Sequence, residues 1–126
     1  MLGRSGNLFS LGDEVTHAQQ EWVDTLVERA GVVVERIVST GQTSPPDFWY
    51  DSPRDEWVVL LSGAARLEFA AGEGTGDDED ESEGTARVHA MQPGDYLLIE
   101  AHRKHRVAWT HESVPTVWLA VHYAPR

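Results

Sequence analysis

The sequence predicts an all-β domain, a sandwich or barrel of short antiparallel strands, preceded by one helix. Two observations carry this. Beyond Gly31, short runs rich in Val, Leu, Ile, Trp and Tyr follow one another closely, separated by Gly, Pro, Ser or Asp. No second helical period interrupts them, which is the pattern of closely spaced strands in a sandwich or barrel. A length of 126 residues with 40% hydrophobic residues suits one compact domain.

In chain order, residues 1–12 read as an extended arm with Leu8 and Phe9 as anchors. Across residues 13–29, Val15, Ala18, Trp22, Leu26 and Val27 recur at helical spacing, Asp13 suits an N-cap and Gly31 a stop. The spacing predicts an amphipathic helix lying on the sheet, so residues 1–30 form an arm plus helix and residues 31–126 the β domain. Strands are expected at 32–39, 57–61, 65–69, 87–90, 96–99, 106–110 and 116–123. Pro93-Gly94-Asp95 is a turn, with proline presetting φ and glycine accepting positive φ. The stretch 72–84 carries seven acidic residues and almost no apolar ones, and is expected to be a solvated hairpin loop.

The chain has 21 acidic against 10 basic residues, a net charge of −11. Without the seven acids of the 72–84 stretch the balance is 14 against 10, so the acidity belongs mostly to one loop. This balance argues against a nucleic-acid partner, which needs clustered Lys and Arg. No cysteine is present, which excludes disulfides, thiolate metal sites and a cysteine nucleophile. No apolar run is long enough for a membrane span, and the first residues lack a signal-peptide core, so the cytoplasm is the expected compartment.

Two residues stand out chemically. In the run from Glu56 to Leu61, alternation places Glu56, Val58 and Leu60 on one strand face, a carboxylate at the entrance of an apolar row. By the same parity His105 opens the row continued by Val107 and Trp109. His102 lies three residues earlier in the turn, and two neutral imidazoles so spaced can converge on one ion.

These residues carry a resemblance. Glu56 followed after six residues by Gly63, and Gly94 with His105 at its proper spacing, resemble the two sequence motifs of the cupins, small antiparallel β-barrels of the jelly-roll type. Stretches such as DEWVVLLSGAARLEF and PGDYLLIEAHRKHRV look like those of short single-domain bacterial cupins without an assigned activity. The resemblance implies a jelly-roll barrel, a homodimer and a metal or small ligand inside the barrel. The departures are as informative. The two histidine slots of the first motif fall on Trp49 and Asp51 or on Tyr50 and Ser52, and in the second motif Glu100, His102 and Trp109 replace proline, glycine and asparagine.

Glu56, His102 and His105, with Asp51 as a fourth, are therefore the candidate ligands of one divalent ion (Fe, Zn, Ni or Mn). The competing expectation is a metal-free polar cluster built on Glu56 and His105. Trp49, Tyr50, Asp51, Trp109 and His122 are the candidate ligand-binding residues around the barrel mouth and interior. Two functions follow: a metal-dependent enzyme acting on a small organic molecule, or a binding or regulatory module without catalysis.

Overall fold

The computed structural model describes residues 5–71 and 87–125. The acidic 72–84 stretch lies outside the described residues. One short helix, α1 (Asp13–Thr16), precedes eight strands: β1 (Trp22–Arg29), β2 (Val32–Ser39), β3 (Asp55–Ser62), β4 (Ala65–Phe69), β5 (Arg87–Met91), β6 (Tyr96–Ile99), β7 (His105–Thr110) and β8 (Thr116–Tyr123). The ladders are antiparallel and assign the strands to two sheets, one of five strands in the order β1-β2-β8-β3-β6 and one of three in the order β5-β4-β7.

The expected helix over 13–29 is corrected: it stops at Thr16, and strand β1 takes Trp22–Arg29. A spacing of four residues, as between Trp22 and Leu26 or Val23 and Val27, fits one face of a strand as well as one face of a helix. What decides is pairing. Gly31 has φ +82°, which closes a two-residue turn with Ala30 and brings Arg29 opposite Val32. From there β1 pairs with β2 as far as Trp22 opposite Val38, with one irregularity between Thr25 and Val27. The remaining single turn, α1, is too short to stand alone. It is held by burying Val15 against Val38 and Val117, with Leu11, Trp22 and Leu61 around them. The arm before it is tied down by Arg36, whose guanidinium donates to the Leu8 and Ser10 carbonyls and pairs with Asp24.

Between the sheets lies the main core, formed by Val58, Leu60, Ala65, Leu67, Phe69, Met91, Ile99, Trp118 and Ala120. Both sheets contribute, so neither apolar face is left in water. Register fixes the packing: Val58 sits opposite Ala120 and Leu60 opposite Trp118 in the large sheet, while Leu67 sits opposite Val107 in the small one. The β3–β4 turn depends on Gly63, with φ +84°. A Cβ there would stand 2.6 Å from the Thr116 Cα and 2.9 Å from the Pro115 carbonyl oxygen, so only glycine fits this crossing of two backbones.

Candidate functional site

At the end of the intersheet space away from Leu60, the core gives way to a cavity of about 280 Å³. Its apolar wall is Ile37, Val58, Leu67, Ile99, Val107 and Trp118, and its polar lining includes Glu21, Glu35, Tyr50, Asp51, Ser52, Glu56, His105 and His122. The polar residues arrive by strand parity. Glu56 is two residues before Val58 on β3, and His122 two after Ala120 on β8, so Glu56 and His122 are directly opposite in the ladder. His105 begins β7 opposite Phe69.

Glu56 and His105, chosen from opposite parts of the chain, do meet: His105 Nε2 lies 3.8 Å from Glu56 Oε1, with both side chains largely buried. The other ring nitrogen, Nδ1, is 3.0 Å from the Arg103 carbonyl oxygen. A carbonyl only accepts, so Nδ1 carries the proton and Nε2 faces Glu56. His105 is gripped by rings on two sides, with Tyr50 stacked at 5.4 Å and Phe69 at 6.0 Å between centroids. Tyr50 is held in place by backbone: its N–H donates to the His105 carbonyl at 2.7 Å, and the His105 N–H donates back to the Tyr50 carbonyl at 3.1 Å. Six residues earlier Ser44 pairs the same way with Val107, its N–H reaching the Val107 carbonyl and its hydroxyl accepting from the Val107 N–H, both at 2.9 Å. The loop before β3 is thereby strapped along β7.

His122 also lines the cavity, with Nε2 2.9 Å from Glu35 Oε1, while its Nδ1 is buried without a hydrogen-bond partner. Glu21 and Glu35 were not singled out in the sequence. Glu21 accepts a hydrogen bond from the Ser39 hydroxyl at 3.0 Å. Burial pushes the Glu21 carboxyl above its ordinary range, the Ser39 bond pulls it back in part, and the charges of Glu56 and Glu35 push it further up. Burial, then Glu21 and Glu56, likewise raises the Tyr50 phenol. The signal for Glu35 was available: it shares a strand face with Val33 and Ile37, a charge in the middle of an inward apolar row. Glu21 gave no such signal, because the residues around it read as helix.

The remaining expected residues fall elsewhere. His102 does not line the cavity; its side chain is 69% exposed and its Nδ1 is 2.8 Å from Asp51 Oδ1. Its φ of +64° and its N–H bond to the Ser52 carbonyl turn it out of the strand direction. Trp49 is half-buried beside Tyr50 and is not part of the lining. Trp109 was expected on the face of His105, and this is corrected. A bulge in β7 shifts the register so that Leu67 faces Val107 but Ala65 faces Thr110. Thr110 therefore turns inward, donating its hydroxyl to the Gln42 carbonyl at 2.7 Å, and Trp109 turns outward under the Arg66 guanidinium at 4.8 Å. Among the described residues no group of three or more His, Asp or Glu side chains is placed to hold a metal ion. One imidazole and one carboxylate fall short of the three protein ligands that a catalytic zinc or non-haem iron site uses, so the residues present do not fit the expected centre.

No protein-family model matches the sequence, and comparison with curated proteins gives no match either. Solved structures do match. A protein of Ralstonia eutropha JMP134, provisionally named a mannose-6-phosphate isomerase, is 47% identical, with 98% of this chain and 100% of that one covered at a TM-score of 0.78. A cupin superfamily protein of Desulfitobacterium hafniense DCB-2 matches at 15% identity over 85% of this chain and 80% of its own, with a TM-score of 0.62. The Co(II) form of HppE in complex with Tris buffer matches at 16% identity over 82% of this chain and 53% of its own, with a TM-score of 0.60. With two antiparallel sheets, an inward Glu56–His105 pair on the motif positions, and a relative this similar along its whole length, the chain belongs to the cupin superfamily.

Proposed function

We propose that this cupin binds a small organic molecule in the cavity between its sheets, using its own side chains instead of a metal centre. The observation that carries the reading is the Glu56–His105 pair facing into an open-mouthed cavity of about 280 Å³ with a largely apolar wall. A mostly apolar cavity with a few convergent polar groups is the usual form of a small-molecule site. Glu56 and the His105 Nε2 would fix the ligand's polar group, and the apolar wall would hold its body.

A second reading, proton transfer on the bound molecule, is favoured by the same pair. His105 has its tautomer set by the Arg103 carbonyl, which leaves Nε2 able to take a proton beside a carboxylate able to balance the charge. The provisional name of the 47%-identical relative belongs to a reaction of this class. The substrate in that name fits less well: no lysine or arginine is among the described lining residues, and four carboxylates are.

The test separates the readings from a metal enzyme. Protein treated with a chelator should still show ligand-induced rises in melting temperature across a panel of small molecules, and elemental analysis should find no stoichiometric metal. One equivalent of tightly held metal in untreated protein, lost in His105→Ala, would overturn the metal-independent reading.

The expected homodimer has support in the outer face of the large sheet. Tyr96 and Leu98 are 67% and 48% exposed there, next to Trp57, whose ring is 5.8 Å from Tyr96. A second copy would cover this face, and Leu98→Arg should shift the sedimentation coefficient from dimer to monomer.

A further inference from the structure

We infer that the cavity selects an organic amine, a compact molecule with an apolar body and an ammonium group bound jointly by Glu56 and His105. The inference rests on the proposed ligand site and names the charge of what enters it.

The His105 side chain is only 8% exposed, and Nδ1 is the ring nitrogen held by a hydrogen bond, to the Arg103 carbonyl. With Nδ1 donating to the Arg103 carbonyl, the neutral ring presents a lone pair at Nε2. Opposite it, at 3.8 Å, stands a carboxylate oxygen of Glu56, which also only accepts. That separation is too long for a direct hydrogen bond. Two acceptors thus face one gap, and the group that satisfies both is a donor with more than one hydrogen. A hydroxyl has a single donor. An ammonium has three and brings the charge that strengthens each bond.

The surroundings agree in sign. Glu21 and Glu35 lie in the same lining, where burial first, and then the charges of Glu56 and Glu35, raise the Glu21 carboxyl. No lysine or arginine among the described lining residues offsets them. An anion entering the cavity meets like charge at low dielectric, where the repulsion is strong. Val58, Leu67, Ile99 and Val107 leave the body of the ligand in apolar contact.

Three probes sharing one ring decide the matter: cyclohexylamine, cyclohexanol and cyclohexanecarboxylate, titrated into the full chain by calorimetry. The measurement is made at about pH 8, where an alkylammonium keeps its proton. The amine is expected to bind at least about tenfold more tightly than the alcohol, the scale of charge-assisted over neutral hydrogen bonding, and the carboxylate least tightly. Glu56→Gln should remove the amine's advantage over cyclohexanol. Equal affinity for amine and alcohol, or tighter binding of the carboxylate, overturns the inference while leaving the cavity a ligand site. Failure of all three to bind overturns both readings. If the variant does not fold, the ranking of the three probes on the unmutated protein is sufficient by itself.

Discussion

On β3 the inward residues Glu56, Val58 and Leu60 run from one end of the intersheet space to the other, and β8 repeats the passage with His122, Ala120 and Trp118 opposite them. At the Leu60 end the space is filled: Leu60 and Trp118 opposite it are buried, and Gly63 brings two backbones into contact. At the Glu56 end the same two strands hold apart an imidazole, a carboxylate and a cavity. The difference lies in what each position has to satisfy. Apolar side chains close-pack without partners, whereas buried charged groups need hydrogen bonds or an occupant. Close packing is therefore concentrated at one end and the buried polar groups at the other.

The largest break in this comparison is expected from Leu60→Ala. It empties a fully buried position and should cost about 3 kcal/mol, read from the denaturant midpoint, while the Glu56 end keeps its ligand affinity. A loss below about 1 kcal/mol would mean the packed end relaxes as easily as the cavity. Gly63→Ala should cost about 2 kcal/mol, since the new methyl meets Thr116 and Pro115 backbone at positive φ. At the other end, Glu21→Gln tests the acid cluster. A carboxyl whose folded value lies above its reference value of 4.5 binds extra proton in the folded state. Wild-type stability should then fall as pH rises from that reference value through the raised folded one. The Gln variant should show a flatter profile and at least wild-type stability at neutral pH. A profile unchanged by the substitution would show that Glu21 does not carry this charge burden. The smallest effect belongs to His102→Ala: an exposed pair with Asp51 should cost less than about 1 kcal/mol in melting experiments and leave cavity binding intact.

The strands were legible because their period is local. The predicted spans 32–39, 65–69, 96–99 and 116–123 coincide with β2, β4, β6 and β8, since Gly and Pro punctuation marked their ends. Segment 22–29 was not, because its four-residue apolar spacing satisfies two periods and only its pairing with β2 separates them. The meeting of Glu56 and His105 could be anticipated from motif positions together with alternation. Trp109 could not be placed, because one extra residue in β7 reverses parity and leaves no mark in the sequence. His102 stands apart from Glu56 and His105 for a related reason. Spacing says how far apart two residues are along the chain, but the left-handed turn at 102 decides where the ring goes.

The hydrogen bonds between Tyr50 and His105 are made by main chain, and the Tyr50 ring adds a stack on the imidazole. Replacing the side chain would remove that stack while leaving the two main-chain hydrogen bonds in place. Glu21, Tyr50 and Val107 also border a neighbouring pocket of about 430 Å³ lined by Gln19, Gln20 and Gln42. The ring at position 50 thus borders both pockets, so a single substitution there would reshape two linings at once.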